Sequence, residues 1–131
     1  MDIWEAVGYK LRNNSEITAI VGTHIYHGLR PQAGAPCINY FEVSYTPLHN
    51  GVLEVPHYQI SCRASSPGVV QDLARKVCTL FHNLQGPIGS SSVFYLQKAT
   101  VENKILLSEP DTNLYHVPVD IFFVFSEATV N

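Results

Sequence analysis

The chain has 131 residues, 46% of them hydrophobic and 15% charged, with a formal net charge of −3. That length suits one domain, spanning 1–131, that buries a core of its own. Eight scattered basic residues and a net acidity argue against a dedicated nucleic-acid binder, which needs clustered Lys and Arg to neutralise phosphates. No stretch approaches the roughly 20 apolar residues of a membrane span, and the start lacks the basic-then-apolar order of a signal peptide, so cytoplasmic synthesis is expected.

The chain opens on an amphipathic helix. Asp2 can cap it, with Glu5 three residues on completing a capping box, and Ile3, Val7 and Leu11 share one face while Lys10 and Arg12 stay wet. A short second helical turn ends at Gly22, and residues 24–29 read as a strand. Arg30 to Pro36 is a turn-rich loop. Cys37 to Tyr45, rich in aromatic and β-branched residues, reads as the next strand. Thr46, Pro47, Leu48, His49, Asn50 and Gly51 break it, Asn-Gly being a strong turn signal. Val52 to Ala64 returns, with Tyr58, Ile60, Cys62 and Ala64 on one face and Gln59, Ser61 and Arg63 on the other. Pro56, which cannot donate to a ladder, suggests a bulge or an edge near the start of that strand.

A long helix follows, with Ser66 as N-cap, Pro67 at its first position and Gly86-Pro87 as its stop. Val70, Leu73, Val77, Leu80, Phe81 and Leu84 form its apolar stripe, which needs a flat partner. Val93 to Leu107 and Asn113 to Phe125 supply it as strands. In the last, Tyr115, Val117, Val119, Ile121, Phe123 and Phe125 alternate onto one face. His116, Pro118 and Asp120 take the other face, until Phe122 and Val124 make the strand apolar on both sides. The pattern predicts an α+β fold: a mainly antiparallel sheet with two amphipathic helices packed on it.

No chemistry-bearing constellation emerges. His24 and His27 are three apart in a strand and face opposite ways, and His57 and Cys62 diverge likewise. His116 and Asp120 share a face but stand roughly 13 Å apart. Paired Cys/His spacings for zinc, a serine elbow and a phosphate loop are all missing. Cys78 lies one helical turn from His82, yet it neighbours the buried stripe. Cys37, Cys62 and Cys78, odd in number and widely spaced, read as reduced core thiols rather than a disulfide framework. No catalytic residue, cofactor or metal is expected.

The succession of elements resembles one family. The helix-first opening, then Ile17-Thr18-Ala19-Ile20-Val21-Gly22, then Ile25-Tyr26, is similar to the start of the tail-terminator, or tail-completion, proteins of long-tailed bacteriophages. The likeness continues through the proline-bearing loop to the strand with Tyr40. It resumes at Tyr58-Gln59-Ile60-Ser61 and in Leu114 to Phe125. The resemblance implies a virion protein of the tail and neck, assembled in the host cytoplasm, that forms a ring of most often six copies. Such a ring caps the tail tube, ends tail growth and meets the head-completion or connector proteins. Genomic DNA passes through it without specific binding, and no membrane is involved. For contacts, Thr46, Pro47, Leu48, His49, Asn50 and Gly51 are assigned to the tube. Gly86, Pro87, Ile88, Gly89 and Ser90, in a connector read as a loop through Ser92, are assigned to a neighbouring subunit or the head side. Two rival readings are another neck or tube component, the latter expected to polymerise by itself, and a small-molecule-binding module with His57, Tyr58 or Cys62 lining a pocket.

Overall fold

In the computed structural model, which describes residues 3–28, 36–48, 53–89, 94–109 and 113–127, three helices and seven strands share one hydrophobic core. The helices are α1 (Ile3–Arg12), α2 (Ser15–Val21) and α3 (Pro67–Phe81). The strands are β1 (Ile25–His27), β2 (Cys37–Leu48), β3 (Leu53–Ala64), β4 (Gly86–Ile88), β5 (Phe94–Lys104), β6 (Leu107–Glu109) and β7 (Leu114–Glu127). They build one sheet in the order β1-β2-β3-β7-β5-β4, with β6 also on β7. Every pairing is antiparallel except that of β1 with β2. The α+β expectation holds.

Local sequence explains the helix ends. Asn14 caps α2, its side chain accepting from the Ile17 N–H at 2.9 Å, and Ser66 caps α3 with Pro67 opening the first turn. The predicted stop of α3 at Gly86 is too late. Asn83 takes a left-handed φ of 64°, which Asn tolerates at helix ends, and its N–H is then captured by the Ala99 carbonyl at 2.8 Å. Residues after Phe81 thus run along β5, and Gly86–Ile88 is a short strand paired with Leu96–Phe94. The loop reading of that segment is corrected accordingly.

The turn after Tyr45 is also later than its residues suggest. Thr46, Pro47 and Leu48 continue β2 and pair with Val55, Glu54 and Leu53, because β3 offers a complete antiparallel partner across the hairpin. The bulge anticipated from Pro56 sits on the facing strand: Val43 is the extra residue between Glu42, opposite Tyr58, and Ser44, opposite His57. The first strand is shorter than expected, at Ile25–His27, and the expected strand to Leu107 divides into β5 and β6. Asp2, His49, Asn50, Gly51 and Ser90 lie outside the described residues.

One face of the sheet carries the helices. Tyr40, Tyr58, Ile60, Cys62, Val117, Val119, Ile121, Phe123 and Phe125 are buried there with Val7, Leu11, Val70, Leu73, Val77 and Phe81. Phe123 lies edge-on to both Tyr58 and Phe81, at centroid distances of 5.7 and 5.6 Å. Trp4 stacks on His27 at 4.1 Å and fixes the start of α1 over the β1 end of the sheet.

The closest approach of helix to sheet is made by a glycine. A Cβ on Gly8 would overlap the Tyr40 hydroxyl and crowd the Arg12 guanidinium at 2.6 Å. Tyr40 is fully buried, and desolvation raises its pKa, opposed in part by Arg12. Gly8→Ala is expected to destabilise the fold by about 1–3 kcal/mol through overpacking, measured by urea unfolding. Adding Tyr40→Phe to Gly8→Ala should recover part of that loss, and an equal loss in both backgrounds would contradict the assigned contact.

Candidate functional site

The second face of the sheet bears none of the described helices and is organised by polar side chains. On this face β2, β3 and β7 present Asn39, then His57, Gln59, Ser61 and Arg63, then His116, Pro118, Asp120, Phe122 and Val124. Strand alternation dictates this, since their neighbours occupy the core. Asn39 and Ser61 are nonetheless buried.

Their burial is explained by a network that crosses the strands. The Asn39 side-chain amide donates to the Gly28 carbonyl at 3.0 Å, and its oxygen accepts from an Arg63 Nη1–H. Arg63 Nε also donates to Glu109 at 3.1 Å, and the second Glu109 oxygen lies 3.7 Å from His116 Nδ1. One guanidinium therefore joins β2 and β3 to β6, and Glu109 carries the link to β7. A second pair lies further along the face, where His57 Nε2 and Asp120 Oδ1 are 3.0 Å apart and Phe122 stacks on the His57 ring at 4.4 Å. Gln59 donates to Ser61 Oγ at 2.7 Å between the two groups.

Sequence reasoning set Arg63 opposite the Tyr58 face of its strand, had His57 diverge from Cys62, and gave His116 and Asp120 one face of theirs, but did not bring the four together. The partners are far apart in the chain, Arg63 and Glu109 by 46 residues and His57 and Asp120 by 63. Only strand order makes them neighbours. Conversely, the residues named for a small-molecule pocket do not converge. Tyr58 and Cys62 are buried under the helices, whereas His57 is on the opposite face.

The thiols are arranged for packing. Burial pushes the Cys62 thiol far up and raises that of Cys78, so both stay protonated near neutrality. Cys78 and His82 line a cleft between α3 and β5 with Arg75, Thr79, Glu102 and Lys104. His82 Nδ1, however, accepts from the Val101 N–H at 3.2 Å, which engages the nitrogen a catalytic base would use. Among the described residues, no group of three or more His, Cys, Asp or Glu side chains could hold a metal ion. No described helix is long and apolar enough to cross a membrane.

Of the contact residues anticipated from sequence, Thr46, Pro47 and Leu48 end one strand of the β2–β3 hairpin, and Gly86, Pro87 and Ile88 form β4 at the opposite end of the sheet. Gly89 follows β4 with a φ of 116°. The two sets are separate surfaces. Exposed large apolar residues, which sequence reasoning did not single out, include Tyr9, Val43 at the β2 bulge, Val69, Tyr95 and the consecutive Ile105, Leu106 and Leu107.

Comparison with known proteins adds to this at the level of fold. No family model matches the chain, and no curated protein matches it. A solved structure, the virion of a native gene transfer agent particle, contains a similar chain at 14% identity, with 90% of each chain covered and a TM-score of 0.68. The two share a fold over nearly their whole length.

Arg63 is the junction of the polar face, 15% exposed in its side chain. Arg63→Ala leaves the Asn39 oxygen and the Glu109 carboxylate without their shared donor, and should cost about 2–4 kcal/mol. Thermal unfolding checks this. A change within about 0.5 kcal/mol, typical of a surface substitution, would mean that the network contributes little.

Proposed function

We propose that this chain is a structural protein of a phage-like virion that caps the tail tube, ends its growth and joins the tail to the head as a ring. The observation that carries the reading is the fold shared with a chain of the gene transfer agent virion over 90% of both chains. The order of elements from α1 to β7 is compatible with the tail-terminator resemblance, and that resemblance is the support for this particular role within a virion.

The mechanism is geometric. A ring seated on the last tube subunits covers the face to which more subunits would add, and its other side offers a new docking surface to head-completion proteins. The β2–β3 hairpin end, with Thr46, Pro47 and Leu48, is assigned to the tube, and Gly86–Ile88, level with it along the strands at the other lateral edge of the sheet, to a neighbouring copy. Copies in such a ring meet head to tail, one patch against a different one. The polar sheet face suits a passage for DNA. Its Arg63 is paired with Glu109 and its His57 with Asp120, which limits the charge those two groups can offer to phosphates.

The test is assembly of tail-tube subunits with and without the purified protein, followed by electron microscopy. Added protein is expected to shorten the tubes and to leave a ring at one end. Unchanged tube lengths with bare ends would overturn the capping role. Open tubes formed by the protein alone would assign it to the tube itself.

A further inference from the structure

Resting on the ring reading above, we infer where neighbouring copies join. The outer edge of β5 and β6 in one copy pairs, antiparallel and staggered, with the outer edge of β2 in the next.

The sheet ends in two half-covered edges. On β2, Ile38–Tyr40 carries β1, whereas Phe41–Leu48 pairs only with β3 among the described residues. On β5, Phe94–Leu96 carries β4, and Asn83, Leu84 and His82 bond to Ala99 and Val101. Beyond them, Glu102–Ser108 has described strand pairing only to β7. Both open stretches bear exposed apolar side chains: Val43 is 49% exposed, and Ile105, Leu106 and Leu107 are 50%, 42% and 44% exposed. Open edges with apolar residues template pairing with another chain.

The register decides how they meet. Lys104 stands opposite Val119, Val119 opposite Ile60, and Ile60 opposite Tyr40. Leu107 is likewise level with Cys37 through His116 and Arg63. The open stretch of β5 and β6 is therefore level with the part of β2 that β1 occupies. A second copy set flush would meet its own β1 in the way. A shift of about five residues along the strand removes that block and brings Phe41–Thr46 of the next copy alongside.

Closing a ring demands a shift of this size. Each copy contributes four long ladder positions (β2, β3, β7 and β5/β6), and these, at ~4.8 Å apart and tilted 35–45°, accumulate about 13–19 Å of stagger, or about four to six residues. β5 runs opposite to β2, and the faces stay in phase because the extra residue at the Val43 bulge makes a shift of five residues an even step of the ladder. β3 and β5 are parallel through two antiparallel steps, and by the rule that such crossovers are right-handed and strands twist right-handed, the stagger has the required sense when the helices lie outside and the polar face inward. Val43 of the next copy then falls beside Leu106. Pro47 lies past the seam, on an edge where its missing N–H is tolerated.

The experiment uses Val43→Cys and Leu106→Cys with a short bismaleimide, and wild type with its own three thiols as the blank. The double variant should give a covalent ladder ending at the ring size, a mixture of the two single variants should give dimers only, and each single variant alone should give none. Self-linking of Leu106→Cys would mean a two-fold contact and overturn the seam. Rings by light scattering without cross-links would overturn the seam and leave the ring reading standing. A monomer at every concentration, without cross-links, would overturn both.

Discussion

Strand β7 is the constraint on which the rest of the structure depends. It lies between β3 and β5, receives β6 at its start and supports α3 on its apolar face. Val117, Val119, Ile121, Phe123 and Phe125 are all buried there, and full burial of such side chains is worth about 1.5–3 kcal/mol each. Because side chains alternate with a period of two, their commitment to the core fixes the opposite face as well. His116, Asp120 and Phe122 can point nowhere else. The polar network is thus a consequence of how the core is packed, and Arg63 and Asp120 supply partners for groups that pairing with β3 and β6 has already brought close.

That arrangement separates two jobs between two faces. Helices seal one side, where Gly8 lets α1 approach Tyr40 and aromatic edges lock α3 onto the sheet. The other side pairs Arg63 with Glu109 and His57 with Asp120. Among the described residues the fold leaves open stretches at the two edges of the sheet, and exposed Val43, Ile105, Leu106 and Leu107 lie on them. The capping role proposed above calls on such edges more than on a pocket.

The parts legible in the sequence were those with local causes. Ser66 and Pro67 announce α3, the alternation of Tyr115 to Phe125 announces β7, and the aliphatic spacing of Ile3, Val7 and Leu11 announces α1. The parts that escaped have tertiary causes. Gly86-Pro87-Ile88 carries turn residues, yet it is a strand because β5 presents an edge to it. Thr46-Pro47-Leu48 has a turn composition, yet the long hairpin holds it in the ladder. Arg63 and Glu109 become partners only through the placement of β6 on β7, which nothing near either residue signals. The Ile105-Leu106-Leu107 run is visible as apolar sequence within the strand expected from Val93 to Leu107, but its exposure depends on what lies beside the edge.

The central claim is that this chain closes into a ring and serves a virion as a structural part. Native mass spectrometry of the purified protein tests it most directly. The account predicts one closed assembly, on the order of six copies, whose size does not grow as concentration rises. A series of ever larger species would mean an open polymer, and a protein that stays monomeric both alone and with tail tubes would contradict the account.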